Sequence, residues 1–91
     1  MQHLFRNSFV RDIKKIKDKQ LYQAIQQVID QVQQADVLTD IPHLKKMSGS
    51  QHCYAIRLHE YRIGIYWSPE EADEVEFVRC LHRREIYRFF P

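Results

Sequence analysis

Glycine is almost missing from this chain: there are two in 91 residues, with three prolines, two cysteines and one tryptophan. Two glycines cannot build a glycine-rich loop that wraps phosphates with backbone amides. The cysteines, Cys53 and Cys80, are far apart and form no CxxC unit. His52-Cys53 and Cys80-x-His82 together offer four possible metal ligands, but adjacent strand residues point to opposite faces, so no metal site is expected. Both cysteines lie in apolar strand-like stretches, which points to buried, reduced thiols and a cytoplasmic protein. No apolar run approaches the ~20 residues needed to span a membrane. The start, Met1-Gln-His-Leu-Phe-Arg6, lacks the apolar core of a signal peptide. Strong net charge is also lacking. The balance is +2, which suits a local anion site better than a long duplex-tracking surface. No carboxylate set of the kind that binds two catalytic metals is present, so no cofactor is expected.

What the chain does contain is periodicity. Gln2–Phe5 can form an edge strand. Asn7 or Ser8 can then cap a helix whose apolar face is Phe9, Ile13 and Ile16, with Arg11, Lys14, Lys15 and Lys17 opposite. The pattern breaks at Asp18-Lys19. Leu21, Ile25, Val28, Ile29 and Val32 predict a second amphipathic helix, from about Gln20 to Ala35. Residues 36–50 read as a loop, because Pro42 opposes a regular strand and Ser48-Gly49-Ser50 is flexible. The period then becomes two. Tyr54, Ile56 and Leu58, then Tyr61, Ile63 and Ile65, predict a β-hairpin turning at His59-Glu60. A further strand follows, with Val75, Phe77, Arg79 and Leu81 on one side and Glu76, Val78 and Cys80 on the other. Arg83–Phe89 continues as a short helix or an extended tail. The order βααβββ defines one α+β domain over residues 1–91, with two antiparallel helices packed on one face of a small, mostly antiparallel sheet. The other sheet face, or its rim, is expected to be free for substrate.

Charge is concentrated at the end, in Arg79-Cys-Leu-His-Arg-Arg-Glu-Ile-Tyr-Arg-Phe-Phe-Pro91. Guanidinium groups hold phosphate oxygens in pairs and stay charged; histidine moves protons near neutrality; tyrosine stacks on bases. Metal-free RNA cleavage needs a base for the 2′-hydroxyl, cations for the phosphorane and an acid for the leaving 5′-oxygen. His82 is the one histidine inside the arginine cluster and is the proton-transfer candidate. His3, His43, His52 and His59 are scattered and read as surface residues. Arg57 and Arg62 fall on neighbouring strands of the hairpin, where facing side chains stand ~4.5–5.5 Å apart at Cβ. Two like charges that close require something anionic between them: a phosphate, or an acid such as Glu60 or Glu76. Tyr87 either stacks on a base, donates from its hydroxyl, or packs on the sheet edge.

Several stretches resemble the RelE/ParE superfamily of type II toxins, and its RelE branch in particular: Asp40-Ile-Pro-His-Leu-Lys-Lys46, Tyr54-Ala-Ile-Arg-Leu58, Tyr61-Arg-Ile-Gly64 and His82-Arg-Arg-Glu-Ile-Tyr-Arg88. The βααβββ order agrees. The resemblance implies a ribosome-dependent mRNA endonuclease restrained by a cognate antitoxin, expected to be acidic and partly disordered. It implies a site made of Arg57, Arg62, Arg83 or Arg84, and Tyr87. The RelE strand carries a second lysine where this chain has Ala55, so the base role falls to another group, with His82 the candidate. Contacts to message or ribosomal RNA are expected from Arg11, Lys14, Lys15, Lys17, Lys45, Lys46, Arg79 and Arg88. The alternative is the ParE branch, which shares the fold but poisons DNA gyrase and cuts no RNA. A non-catalytic RNA- or partner-binding module is a third reading.

Overall fold

The computed structural model describes residues 1–91. Its elements run β1 (Gln2–Phe5), α1 (Asn7–Lys14), α2 (Lys19–Gln34), β2 (Leu44–Lys46), β3 (Cys53–Leu58), β4 (Tyr61–Tyr66), β5 (Glu74–His82) and α3 (Arg83–Phe89), with 3-10 turns at Leu38–Asp40 and Pro69–Glu71. The sheet order is β1-β5-β4-β3-β2. Only β1 with β5 is parallel; the other three pairings are antiparallel. No helix is long and apolar enough to cross a membrane.

The predicted helices form, with corrected ends. The Asp18 carboxylate accepts from the Gln20 and Leu21 amides (2.9 and 3.3 Å), so the residue that breaks the first pattern caps the second helix. Neither Asn7 nor Ser8 caps α1. Arg6 holds that position with no side-chain bond, and the Ser8 hydroxyl donates instead to the Val78 carbonyl. Phe9, Ile25, Val28 and Val32 from the helices meet Ile56, Ile63, Ile65, Val75 and Phe77 from the sheet in one core.

Four expectations need correction. Residues 36–50 are not all loop: Leu44–Lys46 forms β2, antiparallel to β3, two residues after Pro42. Proline bars ladder donation only at its own position, and three residues are too few to display a period. Second, the side assignments along β5 fail after Phe77. Ile65 pairs with Phe77 but Gly64 pairs with Arg79, which leaves Val78 as a bulge. The extra residue inverts the alternation, so Cys80 enters the helix-side core and Leu81 packs on the other face. Third, Arg83–Phe89 is helical, and it covers part of the face expected to be open. Ile86 and Phe90 pack there against Met47, Cys53 and Ala55. Gly64 permits this: a Cβ on it would lie 2.7 Å from the Phe90 ring. Fourth, the order is accordingly βααββββα, within the same α+β class. Cys53 and Cys80 are free and buried.

Candidate functional site

Helices α1 and α2 claim one sheet face, and α3 part of the other. What stays open is the end of the second face, beside the β3–β4 turn. Ile56 pairs with Ile63 and both enter the helix-side core, so the next pair, Arg57 with Arg62, projects to the opposite face. The two arginines are directly opposed, as the hairpin predicted. Arg62 donates from Nη1 to the carbonyls of His59 and Tyr61, both at 2.9 Å, and these pin its guanidinium to the turn.

The acids that were to neutralise this pair are engaged elsewhere. Glu60 pairs with Arg83 (2.9 Å) and Glu76 with Arg6 (3.1 Å). Arg57 and Arg62 have no carboxylate within 4.0 Å: the ion pairs of the molecule are those two and Arg79 with Asp12. Two opposed, unneutralised guanidinium groups make a site for an external anion.

Two adjoining cavities share this pair. One, about 510 Å³, is lined by His43, Arg57, Leu58, His59, Glu60, Arg62 and Arg83. The other, about 290 Å³, is lined by His43, Leu44, Lys45, Ala55, Arg57, Arg62 and Tyr87. Together they form a shallow groove in which Glu60 is the one carboxylate. Tyr87 is 61% exposed at its edge, a position open to a stacking base rather than one packed on the sheet.

Other candidates stand apart. His82 caps α3 by accepting the Arg84 amide at Nδ1 (3.2 Å), with its ring edge-on to Tyr61 at 5.7 Å. It pairs with Tyr61, whose ring packs on the helix-side core, so it lies across the sheet from Arg57 and Arg62. It lines a separate cleft with Asp12, Lys15, Arg79 and Glu85. Arg79 is bound through Nε and Nη2 to Asp12 (2.8 and 3.1 Å), whose Oδ2 also accepts the Cys80 amide at 2.9 Å. The hydrogen bond to Asp12 raises the Arg79 pKa, and burial, followed by the Asp12 charge, pushes the Cys80 thiol up to about 12. Arg84 and Arg88 are exposed on α3, and the Arg88 guanidinium sits 5.5 Å from the Phe89 ring. Lys45 pairs with Ala55 on the groove face, whereas Lys46 pairs with Tyr54 on the helix face. Arg11, Lys14, Lys15 and Lys17 are exposed on α1 and the connection after it, in the helix layer across the sheet from the groove.

Sequence reasoning missed His43, which lines both cavities. It also missed Asp12, a 6%-exposed acid one turn from Phe9 on the buried face of α1. An acid placed there within an otherwise basic helix was the available signal.

Fold and groove together define a small α+β protein with an unneutralised arginine pair at the free end of its sheet. The chain belongs to the toxin family of type II toxin–antitoxin systems: residues 4–87 match the family model described as the ParE toxin of the parDE system. It is 36% identical over 92 residues to Toxin RelE3 of Methanocaldococcus jannaschii, spanning all of both chains. It superimposes with a TM-score of 0.76, at 35% identity, on a chain of the RelB–RelE antitoxin–toxin complex from Methanococcus jannaschii, covering 97% of this chain and 99% of that one. A chain of the archaeal RelE–RelB complex from Pyrococcus horikoshii shares the fold at 15% identity, with a TM-score of 0.70 and coverage of 90% and 93%.

Proposed function

We propose that this protein is a ribosome-dependent mRNA endonuclease that inhibits translation, acts in the cytoplasm and is held inactive by a cognate antitoxin. The observation that carries the reading is the Arg57–Arg62 pair, opposed across two strands with no carboxylate on either. A scissile phosphate between them supplies the missing anion. As the 2′-oxygen attacks phosphorus, charge builds on the non-bridging oxygens, and fixed guanidinium groups stabilise it more than they stabilise the starting diester. Lys45 and Arg83 border the same groove. The cations provide the electrostatic work without a metal, and Tyr87 offers its ring to a base. Arg84 and Arg88, on α3, are reserved for contacts along the message.

The groove is shallow and cannot itself bend a flexible strand into line. A ribosomal A site supplies that geometry. The exposed cations of α1 then serve ribosomal RNA, on the side of the molecule away from the groove. The antitoxin follows from the relatives, whose crystal structures are RelB–RelE complexes. An acidic, partly disordered segment that folds across the groove would mask the arginines.

The test is primer extension on a translated message after a pulse of expression. Discrete cuts within the reading frame, absent from naked RNA, are expected. The family description names parDE, which favours gyrase poisoning as the second reading; relaxed plasmid DNA with intact messages would establish that reading and overturn this one.

A further inference from the structure

We propose that His43 is the general base of the cleavage, the group that takes the proton from the attacking 2′-hydroxyl. The proposal rests on the endonuclease reading above and deepens it by naming a residue. Ala55 stands in the groove where the resembling strand carries a lysine, and it is buried at 3% exposure under α3. A methyl group cannot move a proton. The phosphate clamp therefore needs a proton acceptor from another element.

Three histidines compete, and geometry separates them. His82 is spent as the cap of α3 and lies across the sheet. His59 occupies the tip of the β3–β4 turn, with its carbonyl engaged by Arg62 (2.9 Å), and lines only the outer of the two cavities. His43 lines both, beside Arg57 on the next strand, and shares the second with Arg62 and Tyr87. It extends the β2–β3 register by one position: Leu44 pairs with Ile56, and the His43 carbonyl accepts the Arg57 amide at 3.1 Å. Leu44 turns to the helix-side core, so alternation puts Lys45 on the groove face; His43, in the turn just before β2, reaches the groove as part of the lining of both cavities. The backbone at His43 is in the left-handed region, at φ 61°, a conformation strained for most non-glycine residues. The pairing with Arg57 holds it there.

The groups around the imidazole are Lys45 from β2, Arg57 from β3, Arg62 from β4, His59 and Glu60 from the turn, and Arg83 and Tyr87 from α3. Neutral imidazole carries a ring nitrogen that can accept a proton, which the surrounding guanidinium and ammonium groups do not. The step balances as an internal transesterification. The 2′-O–P bond forms as its proton passes to the imidazole. The P–O5′ bond breaks, leaving a 2′,3′-cyclic phosphate. The departing 5′-oxygen takes a proton from the Tyr87 hydroxyl; the phenolate is reprotonated from water, and the imidazolium returns its proton to water.

The experiment is single-turnover cleavage of a defined message on programmed ribosomes, by wild type, His43→Asn, His43→Gly and Arg62→Ala. Asparagine and glycine both accept positive φ, so the backbone is kept; circular dichroism and ribosome binding are measured alongside. Loss of one base is expected to lower the rate by about 100- to 10,000-fold in each His43 variant, with ribosome binding unchanged. Added imidazole is expected to restore the His43→Gly rate at least in part, and to leave Arg62→Ala unrescued. Cleavage by His43→Asn at the wild-type rate while Arg62→Ala is inactive would overturn the proposal and leave the clamp standing. So would a loss that imidazole does not repair and that tracks weakened binding. A wild-type protein that leaves the message intact would overturn the endonuclease reading itself.

Discussion

Arg62 is held by two backbone carbonyls, while Arg57 makes no ion pair and lies exposed on the same face. Pre-positioning at Arg62 avoids reorganisation when charge develops, so Arg62→Ala is expected to cost about 3–4 kcal/mol of transition-state stabilisation, or two to three decades in rate, with the fold intact by circular dichroism. Asp12 sets the opposite case. It is buried, holds Arg79 and satisfies the Cys80 amide. Asp12→Ala leaves a guanidinium and an amide without partners; because Arg79 stays partly in solvent, about 2–4 kcal/mol of stability is expected to go, read as a lower urea midpoint. Cys80 adds a pH dependence. Its thiol lies near 12 in the folded chain against an ordinary 9.0, so folding favours the protonated form. That contribution is whole below pH 9 and is lost as pH climbs toward 12, because the unfolded chain releases the proton first. Cys80→Ala is expected to flatten the fall in urea midpoint over this window. None of these partnerships is visible in the sequence: Asp12 and Arg79 lie 67 residues apart, and His43 earns its place only by what tertiary structure brings beside it.

The elements divide by how strongly each displays its period. Helix α2 and the β3–β4 hairpin were legible because five apolar positions at helical spacing, and six alternating ones, leave no competing assignment. The three-residue β2 was not, and neither was the bulge at Val78, because the adjacent apolar pairs Phe77-Val78 and Cys80-Leu81 fit either assignment of faces. The C-terminal stretch by its sequence suits helix or tail equally; α3 forms because Ile86 and Phe90 find a second small core. That docking also changes what an antitoxin can reach. Phe89 is half exposed but Phe90 is only 4% exposed, so displacing the tail means extracting a buried ring. Gly64→Val tests the fit. A branched side chain driven into the Phe90 ring is expected to cost about 1–3 kcal/mol and to make residues 83–91 cleavable by protease while the hairpin stays protected from hydrogen exchange.

At the scale of the molecule, charge is sorted rather than accumulated. A net charge of +2 hides a groove with Lys45, Arg57, Arg62 and Arg83 against Glu60 alone. Association with an acidic antitoxin is therefore expected to be fast and to slow steeply between low and high salt; stopped-flow association rates with the product of the neighbouring reading frame check this, and a rate indifferent to ionic strength would exclude electrostatic masking. The sheet carries one more consequence, in the order of its assembly. The hairpin bearing both arginines closes over a two-residue turn, which takes microseconds. The parallel β1–β5 pair joins Gln2 to Glu74, and closing so long a loop is slow on entropic grounds. During refolding the arginine pair is thus expected to come into register before β1 closes the edge of the sheet. A compact species with a formed clamp and a loose first strand will precede the native toxin, and it is available for capture by a partner that arrives early.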